Sequence, residues 1–258
     1  MEPDAGSVNI IGHMDSEDRI LDESDDTERI LNRLGVRVNC NFLSDCTSEE
    51  IRGMRRGRVN ILSSRNLSAD RQADIIKNVT GIDWYPEQLP RGLNQVLGWV
   101  DRFGTFMGCD RGKVDALLSD LRAEYASLTE DLVGELEGRM TIVYTSTSSD
   151  LEWLLEIFDM LGVEVLEILC ATNSVWNVSE DSLRLSKDIP VLYDRNTGDL
   201  EKEIESLKPT FVIGSDYTQH SLKTPHVILG PPRPGIRSAV EQARRLVRMV
   251  KVMDYVDN

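Results

Sequence analysis

Apolar positions along the chain follow two rhythms, a helical one that stops at glycine and a run of β-branched residues that follows at once. Ile30-Leu31-Asn32-Arg33-Leu34-Gly35-Val36-Arg37-Val38 closes an amphipathic helix on Gly35 and enters a strand. Ile157-Phe158-Asp159-Met160-Leu161-Gly162-Val163-Glu164-Val165 repeats the pattern. Glycine at the C′ position takes the left-handed backbone that ends a helix, and the β-branched residues after it favour a strand. An apolar strand precedes each copy, Val8–Gly12 and Met140–Tyr144. Two βαβ openings with right-handed crossovers predict two parallel sheets. The expected fold class is α/β: two tandem Rossmann-like domains, each a parallel sheet flanked by helices. The expected divisions are a first domain over 1–108, a linking helix over 109–137 and a second domain over 138–258.

The remaining elements follow from the same reading. Residues 1–7 read as a frayed leader. Val36–Leu43 and Val59–Leu62 read as strands, with a short helix between them capped by Thr47 and closed as a capping box by Glu50. Arg52 to Arg58 reads as a turn. Ser68 is the expected N-cap of a helix over Ala69–Val79, and Leu93–Met107 is helical by its i, i+3, i+4 spacing. Leu117, Leu121, Tyr125, Leu128, Leu132 and Leu136 form one stripe, which predicts a long helix over Lys113–Leu136. In the second half, Val163–Cys170, Ile189–Tyr193, Lys208–Gly214 and His226–Leu229 read as extended, with helices over Leu200–Leu207 and from Ile236 to about Met253.

Charge narrows the partners. With 44 acidic and 29 basic side chains the net charge is −15. That argues against a nucleic-acid backbone or an anionic membrane as partner, and fits a salt-adapted or merely soluble surface equally well. Cys40, Cys46, Cys109 and Cys170 form no Cys-x-x-Cys pair, so spacing identifies no metal site. Cys40 and Cys170 read as buried thiols. No apolar run approaches the ~20 residues of a membrane span, and residues 1–7 are acidic without an apolar core, so a cytoplasmic, reduced chain is expected.

No Ser-His-Asp, His-Glu-x-x-His or paired-carboxylate spacing surrounds His13, His220 or His226. The catalytic residues are therefore open. Loops that leave the C-terminal ends of parallel strands are where α/β proteins bind ligands. On that rule His13, Ser64, Arg65, Ser146, Ser215 and Arg233 are the cofactor- or ligand-binding candidates, expected to converge around a cleft between the domains. Arg65 lies before a helix start, where backbone N–H groups favour an anion; a simple capped loop is the ordinary alternative. The acidic run from Asp15 to Glu28 reads as a solvated loop.

Val8–Gly12, Leu34-Gly35-Val36, Phe42–Thr47, Val59–Leu62 and Gly81-Ile82-Asp83-Trp84 together resemble the middle domain of nitrogenase component-one proteins. Gly138-Arg139, Leu161–Val165, Asp199-Leu200-Glu201, Lys208–Ser215 and the proline-rich turn at 230–235 extend the resemblance over nearly the whole chain. Relatives of that kind include chains of the molybdenum-iron protein, cofactor-assembly proteins, protochlorophyllide reduction and nickel-tetrapyrrole or methanogenesis-associated systems. The resemblance implies an iron–sulfur cluster or tetrapyrrole shared with a partner subunit, other nitrogenase-like subunits in a hetero- or homo-oligomer, and an ATP-dependent reductase. Two departures stand out. By the resemblance the sequence is expected to start after where the family's N-terminal cluster-binding domain would end, and Ser63-Ser64-Arg65 stands where the cofactor-binding chain has a cysteine, one residue and an arginine. A hydroxyl is a poor iron ligand beside a thiolate. The resemblance thus implies a component of an oxidoreductase complex with no complete catalytic site of its own. The alternative reading is a non-redox module that holds a small ligand between two α/β domains.

Overall fold

The computed structural model describes residues 4–12, 26–42, 46–64, 67–145, 151–171, 188–214, 224–230 and 232–256. The chain divides into two compact units, Met1–Tyr125 with Arg233–Ser238, and Ala126–Pro232 with Ala239–Asn258.

In the first unit, β1 (Asp4–Ile11), α1 (Asp26–Arg33), β2 (Arg37–Phe42), α2 (Ser48–Gly53), β3 (Gly57–Leu62), α3 (Leu67–Thr80), α4 (Gly92–Met107) and α5 (Arg111–Thr129) succeed one another. The three strands are parallel in the order β2-β1-β3. Val8, Ile10, Val59 and Ile61 face α1, α4 and α5 in one core, whose aromatic centre is Trp99 stacked on Phe103 at 4.3 Å with Tyr85 edge-on to both. Ile11, Cys40 and Leu62 face the other way, against Met54 and Ala73. Strand alternation produces both faces from one hydrophobic run, as a covered parallel sheet requires.

The second unit holds β4 (Met140–Thr145), α6 (Glu152–Leu161), β5 (Glu164–Ala171), β6 (Val191–Arg195), α7 (Thr197–Leu207), β7 (Phe211–Gly214), β8 (His226–Ile228) and most of α8 (Arg237–Val256). Its five parallel strands run β6-β5-β4-β7-β8, so the chain order reverses between β4 and β7. Ile142, Tyr144, Leu169 and Val212 pack with Leu200 and Ile204 of α7. The buried positions Ala239, Ala243, Leu246 and Val250 make one apolar stripe on α8.

The two glycine-ended helices are the same motif in detail. Gly35 and Gly162 have φ of 79° and 78°. Val36 N–H donates to the Leu31 carbonyl at 2.9 Å and Gly35 N–H to Asn32 at 3.0 Å; Val163 donates to Phe158 at 2.9 Å and Gly162 to Asp159 at 3.2 Å. This is the paired bonding of a Schellman motif. The likeness continues past the helix. Pairing shifts by one residue between Val8/Asn9, where Asn39 of β2 is skipped, and between Thr141/Ile142, where Leu166 of β5 is skipped. Both bulged residues stand four places after the terminal glycine.

What fills the bulges differs. In the first unit Asn39 Nδ2 donates to Asn9 Oδ1 (2.8 Å) and to the Gly53 carbonyl (3.1 Å). Asn9 Nδ2 donates to Asn60 Oδ1 (2.8 Å) and the Met54 carbonyl (2.9 Å), and Asn60 Nδ2 reaches the Ile82 carbonyl at 3.1 Å. A ladder of three amides thus crosses all three strands, with Asn9 and Asn60 fully buried. Gly57 must lack a side chain because a Cβ there would fall 2.6 Å from the Asn9 amide.

Several sequence expectations change. Strand β1 already begins at Asp4, so part of the expected leader is paired to β3 through Gly57. Thr47 does cap α2 with Glu50 in a capping box, but the basic stretch after it belongs to the end of α2 and a 3₁₀ turn, Met54–Arg56. Helix α3 starts at Leu67, which puts Ser68 inside it. Helix α5 stops at Thr129 although the leucine stripe continues. Beyond it the chain makes successive turns, because Gly134 and Gly138 take φ of 73° and 78° and the N–H groups of Gly134 and Leu136 donate to Met160 and Leu161 at the end of α6. Strand β6 begins at Val191, and α7 begins three residues before expectation because Asn196 and Asp199 form a second capping box.

Asn9→Ala removes three hydrogen bonds, two of them buried, and strands Asn60 Oδ1 and the Met54 carbonyl, while Asn39 Nδ2 keeps the Gly53 carbonyl. The expected cost is about 3 kcal/mol, read as a lower urea midpoint with an unchanged slope.

Candidate functional site at the strand ends

The C-terminal edge of the first sheet is built around the end of β3. Ser63 N–H donates to the Ile11 carbonyl at 3.0 Å and Leu89 N–H to the Leu62 carbonyl at 2.8 Å, so both chain segments are fixed to the sheet. Ser63 is 5% exposed and Ser64 half-buried. Arg91, also 5% exposed, sends Nη2 to the Ser63 carbonyl at 3.3 Å, and its own N–H donates to Gln95 Oε1 at 3.0 Å. Arg91 is the N-cap of α4, with extended backbone. A guanidinium buried at a strand end is costly without charge or hydrogen-bond partners, so the residues around Arg91 are arranged for it.

The segment that returns to this unit completes the edge. Gly92 N–H donates to the Gly235 carbonyl at 3.0 Å and Gly235 N–H to the Pro90 carbonyl at 2.8 Å. Arg233, half-buried, donates its N–H to Ser238 Oγ at 2.8 Å. Behind it lies Asp26, 1% exposed, which arrives from 210 residues earlier. Its Oδ2 accepts the N–H groups of Ile236 (2.8 Å) and Arg237 (2.9 Å). Its Oδ1 accepts Arg29 Nη2 at 2.7 Å, and Glu124 pairs with both Arg29 (2.8 Å) and Arg237 (2.7 Å). Asp26 therefore caps the start of α8 with a charge that the helix dipole favours. Gly235, at φ 112°, is obligatory: a Cβ there would sit 2.2 Å from the Asp26 Cβ.

Of the six candidates, Ser64 and Arg233 are described: Ser64 follows Ser63, whose carbonyl Arg91 reaches, and Arg233 lies two residues before Gly235, which bonds to Pro90 and Gly92. His13, Arg65, Ser146 and Ser215 lie outside the described residues. Two described residues that matter escape sequence reasoning. Arg91 is a lone cation in the apolar stretch from Leu89 to Val100, which is its only sequence signal. Asp26 sits in an acidic run that reads as solvated, and only its place at the start of an amphipathic helix sets it apart.

The cysteines do not present a cluster. Burial pushes the Cys40 thiol up to about 12, helped by the neighbouring Cys46 and Glu50. Burial also raises the thiols of Cys109 and Cys170. Thiolate, not thiol, is the metal ligand, and among the described residues no group of three or more His, Cys, Asp or Glu could hold a metal ion. Among the described residues, the donor set does not fit an iron–sulfur cluster.

A strand-end edge of this kind, on a 2-1-3 parallel sheet, is a ligand-binding position in α/β architecture. The model of nitrogenase component 1 type oxidoreductases matches residues 1–239. The chain belongs to that family. It is 24% identical over 214 residues to a subunit of the light-independent protochlorophyllide reductase of Jannaschia sp. (strain CCS1), covering 83% of this chain and 40% of that one. It is 20% identical over 227 residues to the nitrogenase molybdenum-iron protein alpha chain of Methanothermobacter thermautotrophicus, covering 86% of this chain and 46% of that one. The chain thus spans less than half the length of these two relatives. A solved structure titled Nitrogenase Cp1 at pH 6.5 superposes with a TM-score of 0.71 at 16% identity, over 98% of this chain and 59% of that one. This family member is an α/β protein of two parallel sheets, and no helix among its described residues is long and apolar enough to cross a membrane.

Asp26→Asn keeps the shape but removes the charge that two N–H groups and Arg29 share. The expected loss is about 2 to 4 kcal/mol, measured by urea unfolding, with Asp115→Asn, an exposed side chain of α5, as the near-neutral control.

Thiol labelling tests the donor set. In native protein at pH 8, iodoacetamide should spare Cys40 and Cys170 and modify the half-buried Cys46 and Cys109; all four should react in urea. Cys40 keeps its proton when folded up to about pH 12, whereas the unfolded thiol loses it near its ordinary value of about 8.5. Its contribution to stability is therefore complete below that ordinary value and is lost as pH rises toward 12. Modification of Cys40 as fast as Cys46 in the folded state would contradict this.

Proposed function

We propose that this chain works as a subunit of a nitrogenase-like oxidoreductase complex, in redox chemistry or in assembly of a metallocofactor or tetrapyrrole. The observation that carries the reading is the family match across residues 1–239. Membership of a family is an associational warrant for function, and two features of this chain support a contributing role instead of a self-sufficient one. Among its described residues no group of three or more His, Cys, Asp or Glu could hold a metal ion, so cluster ligands would come from a partner subunit. Its strand-end edge supplies a buried cation at Arg91, hydroxyls at Ser63 and Ser64 and a rigid backbone frame, which suit the carboxylates of a tetrapyrrole or an anionic cofactor. His13, Ser64, Arg65, Ser146, Ser215 and Arg233 are the proposed contact residues, and an ATP-dependent reductase is the proposed electron source.

The test is anaerobic co-expression of the chain with the nitrogenase-like proteins of its source genome, followed by co-purification and iron, sulfide and pigment analysis of the complex and of the chain alone. A coloured complex with iron or pigment that the isolated chain lacks is expected. An isolated chain that joins no such protein, and neither iron nor tetrapyrrole bound under any of these conditions, would sink the proposal.

A further inference from the structure

Cys40 and Cys46 are separated by five residues, and the fold brings their side chains together. Cys40, 1% exposed on β2, packs with Ile11, Leu62, Met54 and Ala73, and the half-buried Cys46 packs against the same cluster. The Cys46 thiol lies within hydrogen-bonding reach of the Cys40 sulfur, and both stand as free thiols. The other two cysteines are placed differently. Cys170 is buried in the second unit, and Cys109 has Arg58 and Lys113 as its charged neighbours.

The backbone holds each partner of the pair in a different way. Cys40 stands opposite Asn9 in the parallel pairing of β2 with β1. Cys46 directly precedes Thr47, whose N–H donates to Glu50 Oε2 at 2.6 Å while Glu50 N–H returns to Thr47 Oγ1 at 3.2 Å. A sheet thus fixes one thiol and a helix cap the other. The folded chain has already lost most of the freedom that closing a ring between the two sulfurs would otherwise cost. Their exposure differs as well: a reagent in solvent meets Cys46 first.

We propose that Cys40 and Cys46 are a reversible redox site, a dithiol that a low-molecular-weight disulfide converts to an intramolecular disulfide. The Cys46 thiolate attacks one sulfur of the small disulfide, breaks its S–S bond, forms a mixed disulfide and releases one thiolate. Cys40 gives its proton to that thiolate, and its sulfur displaces the second small thiolate from Cys46 Sγ. Two cysteine thiols are oxidised and one small disulfide is reduced to two thiols; the second thiolate leaves with the proton that Cys46 gave up. Burial that holds the Cys40 proton makes ring closure the slower step. The bond ties β2 to the start of α2. In a reducing compartment an exchangeable pair of this kind responds to oxidant instead of bracing the fold. The pair needs neither a metal nor a partner subunit, so it stands apart from the complex proposed above.

The probe is oxidised glutathione, mixed with reduced glutathione at a series of ratios and equilibrated anaerobically with the intact, reduced chain. Free thiols are then trapped with iodoacetamide in denaturant and the chain is cut with trypsin. Both cysteines fall in one peptide, 38–52, because no lysine or arginine lies between Arg37 and Arg52. That peptide should lose two hydrogens and take up no alkyl group, at a ratio of oxidised to reduced glutathione about tenfold lower in the folded chain than in urea. Dithiothreitol should restore both alkylation sites. Cys40→Ser should hold Cys46 as the mixed disulfide with glutathione, and Cys46→Ser should leave Cys40 reduced in the folded chain. The proposal is overturned if the folded peptide stays doubly alkylated, if the folded chain needs as oxidising a ratio as the unfolded one, or if Cys46 is found bonded to Cys109 or to a second chain. Thermal melts check folding of both variants, and Cys46→Ser, a half-buried position ahead of a helix, decides the matter if Cys40→Ser does not fold.

Discussion

One carboxylate, Asp26, holds together parts of the chain that are 210 residues apart. Its two oxygens satisfy the first N–H groups of α8 and the Arg29 guanidinium, while Glu124 from α5 balances Arg29 and Arg237. Four charged groups from three helices thus neutralise one another where a single unpaired carboxylate would be untenable. The return of residues 233–238 to the first unit depends on this capture, and so does the strand-end edge, because Gly235 in turn holds Pro90 and Gly92. Without the Asp26 carboxylate the start of α8 would bury two orphan donors. The requirement extends to Gly235, whose missing side chain is the space the Asp26 carboxylate occupies.

The local part of the architecture was legible in the residues. Glycine after an amphipathic helix, then valine, named both Schellman ends, and Thr47 with Glu50 named a capping box, because each of these devices acts over a few residues. The family resemblance was legible too, since it rests on the order of such local pieces. Long-range partners were not. Asp26 looked like its seven acidic neighbours in the sequence, and only packing distinguishes a carboxylate at 1% exposure from solvated ones. Leu132 and Leu136 continued a helical stripe, yet Gly134 sits where its N–H is claimed by Met160 in another helix. Arg91 carried no motif; its role comes from the strand end it reaches. Of the candidate site, the rule about strand ends singled out Ser64 beside the end of β3 but not Arg91, whose guanidinium reaches the Ser63 carbonyl.

The repeated bulge separates what topology demands from what each unit adds. Asn39 and Leu166 occupy the same place in the two pairings, four residues past the helix-ending glycine. Register carries the equivalence across the sheet: Asn9 corresponds to Ile142, and Asn60, opposite Asn9, corresponds to Val212, opposite Ile142. An amide ladder in one unit is thus an apolar layer in the other. The difference follows from what covers that face. In the second unit α7 lies there, its own carbonyls and N–H groups bonded within the helix, and Leu200 and Ile204 ask only for apolar neighbours. In the first unit the ladder meets the carbonyls of Gly53, Met54 and Ile82, at the end of a short helix, in a 3₁₀ turn and in an irregular extended segment. Buried carbonyls outside regular structure must find donors somewhere. Asparagine, with two donors and an acceptor on one short side chain, can accept from the next rung and still serve such a carbonyl. The polar ladder is therefore a consequence of irregular backbone above the sheet, and an apolar substitution would be tolerated there only if the segment from α2 to β3 and the segment after α3 at Ile82 became regular at the same time.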